Sequence, residues 1–366
     1  MNSRLFSILL SLFFGISSQA QIPDSIPKKP FIKKSSLVVL PALFYTPETR
    51  FGGGSATIFS FRFRNQTEQI RPSQLQLGLA YTQEKQILSY LPFQVYLKKE
   101  DWYLNGELGY YRFVYKFFGI GNETKIEDEE IYQAKFPRLR LNALKRISKP
   151  IFLGVRYWFD NYEIFEKEEG KLLDISNVTG RNGGIISGLG LVMNYDTRNH
   201  IFFPTEGNFS EIVLFRNDKK LGSDFNFTSF YVDVAQYFPL KENQTLAFNG
   251  FLHFHFGDPV FQQLPLLGGP EKLRGIFEGR YRDKRLWVFQ TEYRRSIWKF
   301  VGGTIFAGMG SVAPDFESLF SSKIHSTFGM GLRLRLSKKD KINMRIDFGW
   351  DEHLDFYPYV LVAEAF

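Results

Sequence analysis

The sequence predicts an all-β fold, a transmembrane antiparallel β-barrel of about sixteen strands with one long loop folded into its lumen. The first observation behind this prediction is composition: 17% of the residues are aromatic and 23% are charged. No stretch after the N-terminal region approaches the roughly 18 uninterrupted apolar residues of a membrane helix. The second is hydrophobic alternation with a period of two, and the third is a succession of short and long connections. Together these favour a membrane barrel formed by residues 36–366 over a soluble core.

Alternation places apolar and polar side chains on opposite faces of the candidate strands. Leu75, Leu77 and Leu79 share one face of a strand, and Gln74 and Gln76 share the other. Such a strand fits a wall between lipid and a hydrated lumen, because charges at every second residue cannot all lie in a dry core. The same alternation occurs in two later candidate strands. In one, the apolar face carries Leu332, Leu334 and Leu336 and the polar face carries Arg333 and Arg335. In the other, the apolar face carries Met344, Ile346 and Phe348 and the polar face carries Asn343, Arg345 and Asp347.

The length of the connection after a candidate strand depends on whether that strand is odd- or even-numbered along the chain. Brief turns follow most even-numbered strands, whereas longer loops, such as residues 117–130, 166–183 and 257–284, follow odd-numbered strands. This arrangement is typical of an outer-membrane barrel, in which the turns face the periplasm. The candidate strands are 36–45, 51–64, 73–83, 86–98, 102–116, 131–147, 151–165, 184–196, 206–217, 224–238, 244–256, 285–295, 300–310, 325–337, 341–350 and 356–366.

The N-terminal region has the pattern of an export signal. Arg4 precedes an apolar run from Leu5 to Ile16, and Ala20 ends a group of small residues, so residues 1–20 are predicted to be a signal peptide. Residues 21–35, which contain prolines and lysines without periodicity, are predicted to be a short periplasmic tether. We therefore expect the protein in the outer membrane of a Gram-negative bacterium, in contact with outer-membrane lipid.

Composition and motifs exclude several functional classes. The chain contains no cysteine, so disulfides and thiolate zinc sites are excluded, and the dispersed charge of +8 on an exported chain argues against nucleic acid as a partner. His253 and His255 share a strand face and could ligate a metal, but hydrated lumen histidines need none, so no metal or cofactor is predicted. Ser326 points away from His325 and no nucleophile elbow is present, so no enzymatic activity is predicted.

A glycine- and arginine-rich stretch, residues 267–283, organises the second half of the chain. Gly268 and Gly269 permit backbone angles that other residues avoid, so this loop can fold back tightly. It carries arginines, including Arg274, whose guanidinium groups need acceptors. The strand that follows places Glu292 on its polar face, where a loop arginine could meet it.

This series of Gly-Gly, Leu-Arg-Gly and Gly-Arg-Tyr-Arg-Asp motifs, followed by a strand bearing Glu, resembles the inward-folded loop of the BamA/TamA-like outer-membrane assembly family, also called the bacterial surface antigen family. The resemblance implies that Arg274, followed by Gly275, reaches into the barrel and latches the loop chiefly through Glu292. The resemblance also implies an aspartate on the thirteenth strand, but this sequence has Gly308 at that position. Either the latch is therefore smaller, or another acid, such as Asp347, takes part. The additional latch candidates are Arg280, Arg282 and Asp347.

A second segment that resembles the family lies between the eighth and ninth candidate strands. It runs from Asp196 and Arg198 to Pro204 and Gly207, and the last two residues set the geometry of the backbone. The resemblance implies a periplasmic turn that the Asp196 and Arg198 side chains organise.

The seam, where the first and last strands of a barrel pair, is a third candidate site. Both strands carry a proline, Pro41 and Pro358, and each proline removes one backbone donor. Phe366 ends the last candidate strand and is predicted to lie at the seam. The resemblance implies that this junction opens and pairs its edges with incoming strands.

The resemblance implies a function in the insertion or translocation of outer-membrane polypeptides through this lateral seam. Unfolded outer-membrane proteins would then be the clients. Family members usually carry periplasmic POTRA modules ahead of the barrel, and the predicted tether is too short for one. Separate periplasmic or lipoprotein subunits would therefore receive the clients. The alternative is a structural or passive pore-forming barrel that is a subunit of a larger outer-membrane complex.

Overall fold

The computed structural model describes residues 35–63, 66, 72–200, 203–337 and 342–366. The predicted signal peptide, residues 1–20, and the predicted tether up to residue 34 lie outside the described residues. The described residues form a closed barrel of sixteen antiparallel strands, which confirms the predicted fold class. No helix in these ranges has the length and apolar character needed to cross a membrane.

Each barrel strand pairs with its neighbours in the sequence, and β1 closes the barrel against β16. The strands are β1 (Ser35–Thr46), β2 (Arg50–Phe61), β3 (Ser73–Thr82), β4 (Ile87–Leu97), β5 (Trp102–Phe117), β6 (Glu130–Ser148), β7 (Ile151–Lys167), β8 (Gly183–Asp196), β9 (Gly207–Asn217), β10 (Phe227–Lys241), β11 (Gln244–Gly257), β12 (Arg285–Ser296), β13 (Val301–Ala313), β14 (His325–Ser337), β15 (Ile342–Asp351) and β16 (Phe356–Val362). Within the described ranges, the helices are the single turns α1 (Leu172–Ile175) and α2 (Phe316–Leu319) and the 3₁₀ turns Lys98–Glu100, Ile126–Asp128, Lys219–Leu221 and Phe261–Gln263.

Burial follows the alternation along the strands. On β3, Leu75, Leu77 and Leu79 are 37%, 41% and 45% exposed and form part of the outer surface. On β14, Leu332 is exposed whereas its neighbour Arg333 is buried on the inner face. The outer face is therefore the apolar, lipid-facing surface, and the inner face holds the charged side chains.

The two ends of the barrel differ. At the turn end lie the connections after the even-numbered strands, most of which are short, such as those after β4, β6, β10, β12 and β14. At the loop end lie the connections after the odd-numbered strands, of which residues 258–284, between β11 and β12, are the longest.

The seam between β1 and β16 is the least paired junction among the described strands. These two strands share a single ladder pair, Tyr45 opposite Val360. By contrast, β1 forms twelve ladder pairs with β2, where Pro41 lies opposite Ser55, and β16 forms seven with β15, where Pro358 lies opposite Phe348. Both seam strands are thus held firmly by their other neighbour.

The chain leaves the wall of the barrel before its last residue. β16 ends at Val362, and Ala363 adopts a left-handed φ of +66° while its N–H donates to the Asn343 carbonyl at 2.9 Å. The Phe366 carbonyl then accepts a hydrogen bond from Arg294 Nη2 on β12 at 3.1 Å. This corrects the predicted position of Phe366, which lies at the inner face and not at the seam.

Candidate functional site

The inserted loop, as we call residues 258–284, packs against the inner face of the barrel. Its two arms pair as a short ribbon, Leu266–Leu267 against Tyr281–Arg282. The bend between these arms, residues 268–276, is buried throughout. The loop is therefore part of the core, where its backbone groups need partners.

Glycines allow the bend of the inserted loop to approach the barrel wall. Gly268, Gly269 and Gly275 have φ values of +103°, +89° and +112°, a region that side-chain-bearing residues rarely adopt. A Cβ atom at Gly275 would lie 2.7 Å from the Trp350 carbonyl oxygen on β15. Only glycine at this position lets the neighbouring Arg274 lie directly against the wall.

Arg274 lies between two carboxylates of the inner face. Its Nη2 donates to Glu292 on β12, and its Nη1 donates to Asp347 Oδ2 on β15 at 2.6 Å. The guanidinium also lies 3.7 Å above the ring centre of Phe306 on β13. All three charged side chains are fully buried, so the predicted partner Glu292 and the additional candidate Asp347 hold the arginine together.

These residues belong to a larger group, the latch cluster, whose members are Arg274, Glu292, Arg294, Arg333, Arg345, Asp347 and Glu364. Arg333 links its carboxylates, because it donates to Asp347 at 2.5 Å and to Glu364 at 2.6 Å. Charge-assisted hydrogen bonds of this kind compensate for the removal of charged groups from water. Sequence reasoning did not assign Arg294, Arg333, Arg345 and Glu364 to the site, although alternation on β14 and β15 already placed Arg333 and Arg345 on the polar face.

The structure also explains the glycine that replaces the expected aspartate on β13. A Cβ atom at Gly308 would lie 2.7 Å from Leu273 Cδ1 and 3.0 Å from Gln290 Cβ. Leu273 is completely buried at this position. The inserted loop therefore fills with an apolar side chain the space that a carboxylate at residue 308 would occupy, and β15 supplies the second acid.

The other two arginines predicted to help the latch bind elsewhere. Arg280 donates to Thr124 Oγ1 at 2.7 Å and to the Thr124 carbonyl at 2.5 Å. Arg282 donates to the Lys116 carbonyl at 3.1 Å, and its own carbonyl accepts from the Gly121 N–H at 2.8 Å. They tie the inserted loop to β5 and the loop after it, and they do not join the latch cluster.

The structure shows a further anchor of the inserted loop that the sequence did not predict. Lys272 Nζ donates to Asp233 on β10 at 3.0 Å and to Asn249 on β11 at 2.9 Å. The side chains of Lys272 and Asp233 are 10% and 6% exposed. The bend of the inserted loop is therefore held to β10 and β11 as well as to β12 and β15.

The inserted loop contacts both sides of the seam. The Gly275 N–H donates to the Tyr359 hydroxyl of β16 at 3.2 Å. The Glu278 N–H donates to Glu48 Oε1, in the turn between β1 and β2, at 3.0 Å. The loop thus bridges, from inside the barrel, the two strands that share only one ladder pair.

The turn between β8 and β9 has the internal contacts expected of its charged residues. Arg198 Nε and Nη2 donate to the two carboxylate oxygens of Asp196 at 2.9 and 2.8 Å. Gly207 has a φ of +102°, and a Cβ atom there would lie 2.3 Å from the Thr197 carbonyl oxygen. The Pro204 carbonyl accepts from Arg294 at 3.4 Å, so this turn reaches the latch cluster.

The histidines considered for metal binding or catalysis have protein partners. His253 Nε2 lies 2.9 Å from Ser229 Oγ, and His255 Nε2 lies 2.8 Å from the Gln263 carbonyl oxygen. His325 lies 2.9 Å from a Glu352 carboxylate oxygen. Among the residues that the structure describes, no three histidine, aspartate or glutamate side chains are grouped to hold a metal ion.

Comparison with known proteins places this geometry in a family. The Omp85 superfamily domain matches residues 44–354. A search among curated proteins gave no match. Solved structures share the fold: BamA from Haemophilus ducreyi lacking POTRA domains 1–3 is 15% identical with a TM-score of 0.61, and the match covers 90% of this chain and 70% of that one.

Two further solved structures are CdiB from Acinetobacter baumannii and CdiB from Escherichia coli. The first is 11% identical with a TM-score of 0.59, covering 91% of this chain and 60% of that chain. The second is 10% identical with a TM-score of 0.62, covering 93% and 64%. This chain thus spans less than two thirds of the length of either CdiB chain.

Homologous barrels of the superfamily lie in Gram-negative outer membranes. The matched residues run from β1 to the turn before β16, and the family resemblance seen in the inserted loop is confirmed: the chain belongs to the Omp85 superfamily.

Proposed function

We propose that this barrel inserts or translocates outer-membrane polypeptides through the seam between β1 and β16. The observation that carries the proposal is the single ladder pair, Tyr45 opposite Val360, that joins these strands in the described structure. Separating them breaks few hydrogen bonds, whereas every other junction has a longer ladder. The similarity to BamA and CdiB barrels supports the same class of activity.

The edge of β1 suits pairing with an incoming strand. Leu37, Val39 and Leu43 are 66%, 63% and 75% exposed on its lipid-facing side. Each of these three residues faces β2 in the strand register, and the ladder pair that the described structure records between β1 and β16 is Tyr45 with Val360. A client strand can therefore add to this edge through main-chain hydrogen bonds while its apolar side chains face lipid.

The inserted loop supports this edge from within. Through Tyr359 it contacts β16, and through Glu48 it contacts the turn that follows β1. The latch cluster fixes the loop to β12 and β15, which belong to the β16 side of the seam. Movement of the β1 hairpin away from β16 must therefore break or stretch the contact between Glu278 and Glu48.

A second function is favoured by the hydrated interior. The lumen contains a cavity of about 1230 Å³, lined by polar side chains that include Gln74, Asn105, Arg156 and Glu211. Such a cavity is compatible with the alternative function, a passive pore or structural subunit.

Purified protein in liposomes distinguishes the two functions. The rate at which a second, unfolded outer-membrane barrel protein folds into these vesicles is compared with the rate in protein-free vesicles, and ion conductance is recorded in parallel. Accelerated folding supports the insertion function. Steady conductance without any acceleration contradicts it and supports the pore.

The contact between Glu278 and Glu48 is expected to weaken as pH rises. Burial and the neighbouring Glu48 carboxylate raise the pKa of Glu278 to about 8, and burial also raises the pKa of Glu48. A carboxyl whose pKa is raised by folding stabilises the folded contact while it is protonated, and this stabilisation is lost as pH passes its folded-state pKa. This stabilisation is therefore lost between the ordinary carboxyl pKa of 4.5 and about pH 8, so cleavage of the inserted loop at Arg280 or Lys284 by trypsin is expected to accelerate up to about pH 8 and then to level off.

The matched control for this pH effect is Glu278→Gln, which retains the backbone donor and cannot ionise. Its cleavage rate reports the pH profile of the protease together with the titration of Glu48, so subtracting it from that of the wild type isolates the ionisation of Glu278. If the wild type and Glu278→Gln show the same change with pH, ionisation of Glu278 does not loosen the loop.

A further inference from the structure

The turn between β12 and β13 displays basic side chains among exposed aromatic rings. Arg295 and Lys299 are exposed, and neither forms an ion pair with a carboxylate of the described residues. Trp298 and Phe300 beside them are 80% and 63% exposed. Isolated exposed apolar residues are ordinary, but two large aromatic rings on one short turn beside two unneutralised cations form a distinct surface.

This turn is internally ordered, so its side chains occupy defined positions. The N–H groups of Ile297 and Trp298 donate to the Val301 carbonyl at 2.9 and 2.8 Å. Arg295 lies opposite Gly303 in the ladder between β12 and β13. A Cβ atom at Gly303 would lie 3.4 Å from Ile297 Cδ1 and 3.9 Å from the Gly331 carbonyl oxygen, so the surface opposite Arg295 is open apart from the Ile297 side chain.

The location of the turn identifies its surroundings. Arg295 lies on the same strand face as Phe289, which is 42% exposed, and Ile305 on β13 is 60% exposed on the outer surface. Arg295 is therefore at the end of a lipid-facing column of side chains, at the turn end of the barrel. In an outer-membrane barrel this end faces the periplasm, so the turn meets the headgroups of the inner leaflet.

We propose that this turn is a binding site for an anionic phospholipid of the inner leaflet. Arg295 and Lys299 donate to the phosphate oxygens of the headgroup, and Arg295 can do so with two parallel N–H groups. Trp298 and Phe300 lie in the interfacial layer that aromatic side chains favour. The apolar side chains of Ile297 and Ile305 contact the first part of the acyl chain.

The experiment measures lipid selectivity at Trp298 in the full-length protein. The chain has five tryptophans, so emission from Trp298 is obtained by subtracting the Trp298→Phe variant. The protein is reconstituted in phosphatidylcholine vesicles containing phosphatidylglycerol, with brominated acyl chains on one lipid or the other. Stronger quenching by brominated phosphatidylglycerol than by brominated phosphatidylcholine is expected. In Arg295→Gln/Lys299→Gln this preference is expected to fall about 25-fold, since two basic groups near an anionic surface each contribute about fivefold.

Three outcomes would overturn the site. Equal quenching by the two lipids means that the turn does not select an anionic headgroup. An equal loss of preference in Lys241→Gln, which removes a cation from the end of β10 beside this turn, means that only the overall charge of this end matters. A preference for phosphatidylglycerol that persists undiminished in Arg295→Gln/Lys299→Gln means that these two cations do not bind the headgroup.

Discussion

Oxidation of a cysteine pair placed at Tyr45 and Val360 is expected to reduce client folding to the rate of protein-free vesicles, and reduction is expected to restore it. These residues lie directly opposite each other in the seam, where paired strands place their Cβ atoms close enough for a disulfide. The native chain has no cysteine, so no other disulfide can form within it. The measurement is the folding rate of a second barrel protein in liposomes, with and without reductant.

The matched control keeps Tyr45→Cys and moves its partner to Phe51→Cys. Phe51 lies opposite Tyr45 on the other side of β1, in the ladder with β2. This disulfide joins two strands that remain paired when the seam opens, so full activity is expected under both conditions. Undiminished client folding by the oxidised Tyr45–Val360 pair would show that clients are not inserted by opening this seam.

Arg274→Ala is expected to release the inserted loop from the inner face while the barrel still forms. The substitution leaves two buried carboxylates, Glu292 and Asp347, without one partner each. Removal of one member of a buried ion pair costs about 3 to 5 kcal/mol, and the lower figure is expected here because Arg294 and Arg333 still contact these acids. The inserted loop should become sensitive to trypsin at Arg280 and Lys284, and activity should fall more than protein abundance.

Glu292→Ala and the double variant Arg274→Ala/Glu292→Ala test whether Arg274 and Glu292 act as a pair. If they do, the loss in Arg274→Ala/Glu292→Ala is smaller than the sum of the losses in the two single variants, because both substitutions remove the same contact, although Glu292→Ala also removes the contacts to Arg294 and Arg333. Arg274→Lys serves as the conservative control: it keeps the charge but cannot donate to both Glu292 and Asp347 with one planar group. A loop that stays protected in Arg274→Ala, or additive losses in the double variant, would show that this latch does not hold the loop.

The strands could be predicted because their signal is local. Lipid-facing and lumen-facing side chains alternate along each strand, so Leu75 or Leu332 can be assigned to the outer face from its immediate neighbours. The inserted loop was predictable for a related reason, since Gly268 and Gly275 indicate a bend whatever they contact. The one clear error at a strand end, β16, arose where Ala363 takes a left-handed conformation that its sequence does not indicate.

The contacts of the site were less predictable, because they depend on how distant strands meet. Asp347 lies 73 residues from Arg274 in the sequence, and only closure of the barrel brings them together. The partners of Arg280 and Arg282 include the carbonyls of Thr124 and Lys116, which no motif identifies because every residue carries a backbone carbonyl. The extent of pairing at the seam likewise depends on the curvature of the whole barrel and not on Pro41 or Pro358 alone.

The composition of the latch cluster sets an order of events during biogenesis. Its carboxylates are Glu292 on β12, Asp347 on β15 and Glu364, which follows β16 and contacts Arg333 and Asn343. A nascent or incompletely exported chain therefore cannot present a complete docking site to Arg274, even when β1 to β12 are available. Long-range contacts of this kind form late, after the intervening chain has been ordered. Docking of the inserted loop thus requires β15 as well as β12, and chains truncated before Asp347 would carry an undocked loop that proteases can recognise.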